Sequence, residues 1–394
     1  MKIAMISYWS CPLTRLGVLK SGGMNVYILH LVHYLARLGH NVDVYTKTHT
    51  GGDENLIKLD KNARIIHLSA IDTDSYTKKV LQYIKKNALS YDIVHAHYYY
   101  SGLVGCGLKK TLPVPLVMTF HTLGMMKKLY LGIDDKRRID FEKKVVSCVD
   151  GIIAFTGLEA AELIRYYQAE KNKIFVVPPG VNHHVFKKYS QSYSRNKLKI
   201  DKSKRVILFI GRIDPVKKIN LLIEAVAKLT KIHPSFMNNF CVFLIGGDIG
   251  SREFWHDKEV KKIKYLIGEK NLERCVKFIG SQPYNLLPFY YSAADVVVMP
   301  SVYESFSFVV LEALACGSTV LASRVGGMTF LIRDKINGRH FESNDYDSLS
   351  SILWELLNDK KQRAFLRKNA IASTRNYCWE KQARKMLSVY KKLL

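Results

Sequence analysis

Short apolar runs rich in β-branched residues alternate with amphipathic stretches along almost the whole chain, the pattern of α/β units built around parallel sheets. In the first half the runs at 2–9, 41–47, 65–68, 92–97, 116–121, 151–156 and 174–178 predict strands. The stretch 24–38 predicts a helix, with apolar residues at Val26, Leu29, Val32 and Leu35 on one face. The pattern pauses from 182 to 204, where the chain is polar and basic without a sustained period, and an interdomain linker is placed at its start. A second series follows at 205–211, 241–246, 275–280, 295–300 and 319–323, and beyond 347 only helical patterns remain. Two such series in tandem predict two doubly wound domains, 1–183 and 184–377, with a last helix at about 378–394 packing back on the first.

The length of 394 residues suits two hydrophobic cores better than one. With 48% hydrophobic and 24% charged residues the chain has a globular composition. No apolar run approaches the roughly 20 residues a spanning helix needs, and the opening run is too short for a secretory signal. Seven scattered cysteines, none in a C-x-x-C pair, fit neither a disulfide framework nor a zinc site, so the expected setting is a reducing cytoplasm.

Charge is the unusual global property, 60 Lys+Arg against 34 Asp+Glu for a net +26. It is spread, about +9 in 1–183 and +17 in 184–394, and favours anionic partners of any kind. Lysine pairs such as Lys261-Lys262 and Lys391-Lys392 read as solvated helix faces. Asp72-Thr-Asp74 and Asp345-Tyr-Asp347 each precede a helical pattern and read as N-terminal caps rather than metal ligands. His95 and His97 alternate along a strand, and with no cysteine or acidic cluster nearby they read as structural, as do His183-His184.

Several segments carry candidate chemistry. The first strand does not run into G-x-G-x-x-G, which argues against a dinucleotide dehydrogenase. A loop leads instead to Gly22-Gly23-Met24-Asn25 at a helix start, where glycines let an anion approach backbone amides. At the end of the first strand of the second series stand Gly211-Arg212 and, five residues on, Lys217, cations placed to clamp a diphosphate. The bland reading, a surface Arg and Lys in a basic protein, weighs equally for this segment alone. The richest segment runs from Pro300 to Gly317: Glu304 stands in the loop beyond a strand, Ser305 is expected to cap the next helix, and Glu312 falls about two turns inside it. An acid among apolar residues needs a hydrogen-bonding partner, for which vicinal hydroxyls are suited. The amides of Phe306, Ser307 and Phe308 would then face phosphate oxygens.

These segments together resemble the retaining glycosyltransferases of family 4. The E-x7-E pair Glu304/Glu312, Gly211-Arg212 with Lys217, Gly23 with Asn25, and Val177-Pro-Pro-Gly-Val-Asn182 occur in family order over nearly the whole chain. The resemblance implies a GT-B fold, two Rossmann-like doubly wound α/β domains facing across a cleft. Within the family the first half is similar to the branch of sucrose-phosphate synthases and D-inositol 3-phosphate glycosyltransferases, through Gly22-Gly-Met-Asn-Val-Tyr27, His95-Ala-His-Tyr98, Thr119-Phe-His-Thr-Leu-Gly124 and Arg137-Arg-Ile-Asp-Phe-Glu142. By that resemblance the donor, a nucleotide-diphosphate sugar and most often a UDP-sugar, is held by Gly23, Asn25, Gly211, Arg212, Lys217, Glu304, Phe306, Ser307, Phe308 and Glu312. His121, Arg212, Lys217 and Glu304 serve catalysis, and Tyr98, Thr122 and Arg138 hold the acceptor's phosphate. Met125, Met126 and Lys127 are expected to border the acceptor. No metal and no cofactor beyond the nucleotide sugar are expected. Two departures stand out, Ser307 and Lys218, where the family commonly has glycine.

Three other readings stand beside this one. A glycosyltransferase of lipid or cell-surface glycan synthesis would rest basic helices peripherally on anionic membrane at its inner face. An inactive nucleotide-sugar-binding relative would keep the fold without turnover. A nucleic-acid-binding protein has only the net charge in its favour and lacks a recognisable reading module.

Overall fold

The computed structural model describes residues 1–14, 22–48 and 55–394. The chain divides into two compact units, Met1–Gly180 with Trp379–Leu394, and Val181–Cys378.

Unit 1 carries β1 (Lys2–Ser7), β2 (Asn41–Lys47), β3 (Leu56–Asp60), β4 (Ala63–Leu68), β5 (Ile93–His97), β6 (Leu116–Thr119), β7 (Gly151–Ala154) and β8 (Ile174–Val176). They form one sheet in the order β3-β4-β2-β1-β5-β6-β7-β8, parallel except for the antiparallel β3–β4 edge pair. Central strands such as β1 and β5 are buried along nearly their whole length because helices cover both faces, which is why they read as continuous apolar runs. The half-exposed β3, with sequence LIKLD, gives no such run and was not expected. The helix Trp379–Leu393 packs against the helix Gly23–Arg37, with Trp379 stacked on His30 at 5.2 Å between ring centroids. Tyr390 of the same helix meets His95 Nδ1 at 2.6 Å.

Unit 2 carries β9 (Arg205–Ile210), β10 (Phe240–Ile245), β11 (Val276–Phe278), β12 (Val296–Met299), β13 (Val320–Ser323) and β14 (Arg339–Phe341), ordered β11-β10-β9-β12-β13-β14 and wholly parallel. The sheet gains β14, a three-residue strand too short to leave a pattern. The segment read as an aperiodic linker holds a seven-residue helix, Gln191–Lys197, capped by Ser190.

Both sheets reverse direction once. In unit 1 the chain leaves β1 for β2 on one side and later fills β5 on the other; in unit 2 the same happens between β9 and β12. Ligands of open α/β sheets bind at the carboxyl ends of the strands flanking such a switch point. Tyr8 and Trp9 follow β1, Tyr98 follows β5, Gly211-Arg212 follow β9 and Ser301–Glu304 follow β12.

Two sequence expectations concerning single side chains met opposite outcomes. Asp72 and Asp345 are helix N-caps, their carboxylates accepting from backbone amides. The cysteines, expected to be unpaired, include one disulfide, Cys106–Cys148, between the helices Tyr99–Lys109 and Lys136–Cys148, with Cα atoms 6.1 Å apart. These cysteines lie 42 residues apart, so only the packing of the two helices brings them together.

Candidate functional site

In unit 2 the loops after β9 and β12 meet. Lys217 Nζ donates to Glu304 Oε1, and the pair is 16% and 14% exposed. Ser301 Oγ donates to the same carboxylate oxygen at 2.9 Å. Arg212 stays half exposed, its guanidinium 3.6 Å from Asp214. Asp214 in turn caps the short turn Pro215–Lys217 through the amide of Val216 at 2.9 Å, which fixes the approach of Lys217. Lys218 sits at φ +47°, a left-handed backbone that glycine adopts without strain, so the usual glycine there has a conformational reason.

Glu304 is held from behind by residues to which the sequence reading assigned no role. The amide of Gly327 donates to the Glu304 carbonyl at 2.7 Å, and a Cβ at Gly326, which sits at φ +46°, would collide with that same carbonyl oxygen. Gly-Gly two residues beyond the predicted strand 319–323 was the available signal.

Two expectations about the next helix are corrected. It runs Phe308–Ala315, and its N-cap is Ser307, not Ser305: the Ser307 hydroxyl accepts from the amide of Val310 at 3.4 Å. Glu312 therefore stands little more than one turn inside, not two. Ser307 has φ −130°, ordinary extended backbone, so a serine in place of glycine is accommodated and its side chain is turned to its own helix. Glu312 is 6% exposed and accepts from the Tyr291 hydroxyl at 2.9 Å. Burial pushes its carboxyl up to about 8, with the Tyr291 bond pulling the other way. Phe306 is buried beside Phe308, their rings 5.9 Å apart.

In unit 1, Gly23 opens the helix Gly23–Arg37 and Asn25 is buried. The Asn25 amide donates to Ser10 Oγ at 3.0 Å and to the Cys11 carbonyl at 2.7 Å, holding the loop that follows β1. His121 has φ +62°, uncommon for a non-glycine residue, and packs edge-on to Tyr27 at 5.2 Å. Its Nε2 lies 3.2 Å from His97 Nδ1, and His95 Nε2 lies 2.9 Å from Thr119 Oγ1. Burial pushes His97 down to about 3 and holds His95 and His121 well below the usual imidazole range, so all three are neutral. Among the described residues no group of three or more His, Cys, Asp or Glu side chains could hold a metal ion.

Tyr98, Thr122 and Arg138 come together. Arg138 Nη2 donates to the Thr122 carbonyl at 2.8 Å and hydroxyl at 3.0 Å, and its guanidinium lies 5.2 Å from the Tyr98 ring centre. Its Nε donates to Glu142 at 2.7 Å; this pair is 4% and 0% exposed. Burial works against the Arg138 charge, but the Glu142 carboxylate outweighs it and leaves the guanidinium more firmly protonated than usual. Glu142 also accepts from the amide of Gly124 and from the Tyr167 hydroxyl. Its i, i+4 spacing from Arg138 on one helix was the sequence signal for the pairing. Met126 is buried, whereas the amide of Met125 is held by the Tyr167 hydroxyl at 2.9 Å.

A parallel sheet in each unit, with cations and carboxylates gathered at the carboxyl ends beside a switch point, defines two Rossmann-like domains of the kind that bind nucleotide sugars. Residues 21–185 match the model described as Glycosyltransferase Family 4, and residues 190–373 match that of Glycosyl transferases group 1. The chain is 31% identical to a D-inositol 3-phosphate glycosyltransferase of Corynebacterium efficiens, over 99% of this chain and 95% of that one. It is 32% identical to the protein of that name in Corynebacterium urealyticum, over 100% and 96%. Among solved structures it is similar to a sucrose-phosphate synthase from Thermosynechococcus elongatus, TM-score 0.90 at 28% identity over 100% of this chain and 98% of that one. An Anabaena HepE structure in complex with UDP and glucose shares the fold, TM-score 0.80 at 19% identity over the whole of both chains. This chain belongs to glycosyltransferase family 4 and has the GT-B fold.

No helix among the described residues is long and apolar enough to cross a membrane.

Proposed function

We propose that this glycosyltransferase moves a hexosyl group from a UDP-sugar to a hydroxyl of a sugar phosphate or inositol phosphate, with retention of anomeric configuration and without a metal. The observation that carries the reading is the Lys217–Glu304 pair beside the half-exposed Arg212, at the strand ends flanking the β9/β12 switch point. Breaking the anomeric bond leaves negative charge on the departing diphosphate. Arg212 and Lys217 held there stabilise that charge more in the transition state than in the ground state, the service a divalent cation performs elsewhere. Glu304, fixed by Lys217, Ser301 and Gly327, orients the donor sugar ring. Glu312, kept largely protonated by burial at neutral pH, can both donate to and accept from ribose hydroxyls without bringing a charge into the core.

Front-side attack, in which the leaving phosphate takes the acceptor's proton, accounts for retention without a protein nucleophile. His121, kept neutral by burial, is assigned to catalysis by the likeness to family 4. The acceptor class follows from the likeness to D-inositol 3-phosphate glycosyltransferases and from the grouping of Tyr98, Thr122 and Arg138 in unit 1.

The test is nucleotide release by the purified protein, offering UDP-, GDP- and ADP-sugars against fructose 6-phosphate, inositol 3-phosphate and their dephosphorylated forms, with product stereochemistry read by NMR. Release that requires UDP and a phosphorylated acceptor, and that survives chelation, supports the reading. Release only with lipid or glycan acceptors would replace the acceptor, and an inverted product would replace the mechanism.

A further inference from the structure

His97 is the last residue of β5, and its side chain leaves the sheet on the same face as that of His95, two residues earlier. In the parallel register His95 lies opposite Val117 of β6 and His97 opposite Thr119. Each histidine reaches past its opposite residue to the one two further on. His95 Nε2 lies 2.9 Å from Thr119 Oγ1, and His97 Nδ1 lies 3.2 Å from His121 Nε2. The Tyr98 amide donates to the Thr119 carbonyl at 2.9 Å, so the ladder continues past the end of β5 and the backbone itself sets the approach of His97 to His121.

The row of imidazoles runs from the protein interior outward. At its inner end the Tyr390 hydroxyl meets His95 Nδ1 at 2.6 Å. His95 and His97 are fully buried and His121 is 8% exposed, so of the three rings only His121 reaches the surface. Tyr27 packs edge-on to both outer rings, 5.8 Å from His97 and 5.2 Å from His121 between ring centroids.

Burial keeps both outer rings neutral, so each carries one N–H, and one of the two must donate across the 3.2 Å contact. His97 Nε2 is buried and has no hydrogen-bonding partner. If His121 Nε2 supplied the proton, His97 would have to keep its own on Nε2, as a buried N–H with no acceptor. If His97 Nδ1 supplies it, Nε2 is a bare nitrogen, and an unpaired buried acceptor is tolerated better than an unpaired buried N–H. His121 then accepts at Nε2 and holds its own proton on Nδ1.

We infer that His97 is a positioning residue of the transferase: its Nδ1–H donates to His121 Nε2, which fixes the proton of His121 on Nδ1 and makes that nitrogen a hydrogen-bond donor toward substrate. The inference rests on the catalytic assignment of His121 under the proposed function and adds the residue that sets its tautomer. A donor suits a nucleotide sugar, whose phosphate oxygens can only accept. Without His97 the ring of His121 is no longer held at Nε2 and populates both tautomers. Loss of one such buried hydrogen bond lowers the rate about ten- to hundredfold.

The test pairs nitrogen-15 NMR of the full chain, labelled at histidine, with steady-state kinetics of nucleotide release. Wild type is compared with His97→Phe, which keeps a ring against Tyr27 and cannot donate, and with His97→Asn, whose amide nitrogen stands where Nδ1 stood. The His121 ring signals, among 13 histidines, are assigned by their loss in His121→Phe. Expected in the free wild-type protein is a His121 proton on Nδ1, and in His97→Phe a mixture of tautomers. The kcat of His97→Phe should fall about ten- to hundredfold with the acceptor KM unchanged, and His97→Asn should recover most of the loss.

A His121 proton on Nε2 in the wild type, undiminished kcat in His97→Phe while His121→Phe is impaired, or an equal loss of kcat in His97→Phe and His97→Asn would overturn the inference. The wild-type tautomer decides even if His97→Phe fails to fold. Failure of the proposed function would show differently: full turnover by His121→Phe would remove the catalytic assignment, and no release with any donor and acceptor would remove the reaction. In both cases the Nδ1 proton, read on the free protein, still reports whether His97 sets the tautomer.

Discussion

Tyr291 donates its hydroxyl to Glu312 over 2.9 Å, and this bond is the partner that a nearly buried acid on an apolar helix requires. Because burial raises the Glu312 carboxyl to about 8, the folded protein holds a proton there that the unfolded chain has released above its ordinary value near 4.5. The native state then binds more protons than the unfolded state between those two values, so this group's contribution to stability falls as pH rises from about 4.5 to about 8 and is level beyond. Glu312→Gln removes that slope. Thermal melts of wild type and variant from about pH 5 to about pH 9 should show the variant gaining on the wild type as pH rises. A difference in Tm that does not change with pH would show that Glu312 is not held protonated.

Arg212 and Lys217 separate a charge effect from a folding effect. Arg212 is 52% exposed and its nearest acid lies at 3.6 Å, so Arg212→Ala should leave the melting temperature unchanged while lowering kcat/KM for the nucleotide sugar by roughly 10² to 10³. Lys217→Ala should cost a similar factor in rate and also lower Tm, because it leaves the Glu304 carboxylate, 14% exposed, with Ser301 and without a cation. Nucleotide-release kinetics and melting curves on the same preparations read both quantities.

The parts of this molecule legible in the sequence are those where one run of residues contains the whole cause. β1, β5, β9 and β12 announce themselves because burial on both faces makes them apolar throughout, and Gly211 and Pro300 mark where β9 and β12 stop. Asp72 and Asp345 are legible as caps because the helix they serve follows at once. What escaped depends on partners distant in sequence or on a side chain with two equivalent uses. Ser305 and Ser307 are both competent caps, and only the backbone shows that the helix begins after the second. Gly326 matters because the Glu304 carbonyl arrives beside it, and Cys106 and Cys148 pair because two helices pack. β3 and β14 are edge strands, too exposed or too short to leave a run.

Gly326→Ala tests that support of Glu304. The new Cβ would have to displace the Glu304 carbonyl from a left-handed position at φ +46°, so kcat should fall by about tenfold or more together with a loss of Tm. Gly157→Ala is the matched control: its Cβ would meet no atom within 4 Å, and it should keep full activity with an unchanged or slightly raised Tm. Unimpaired activity in Gly326→Ala would mean that the position of Glu304 does not depend on this approach.

Arg138→Ala should destabilise unit 1 strongly, because it strands Glu142, fully buried, with the Gly124 amide and the Tyr167 hydroxyl but no cation. Breaking a buried pair by removing one partner costs about 3–5 kcal/mol. A loss of acceptor affinity in Arg138→Ala would therefore not by itself identify a phosphate contact. Pairing the change with Glu142→Gln removes the stranded charge and should recover a large share of the stability in denaturant unfolding. If Arg138 holds the acceptor's phosphate, the double variant should regain stability while keeping a raised KM for the phosphorylated acceptor. A KM restored together with the stability would show that Arg138 acts only through the folding of unit 1.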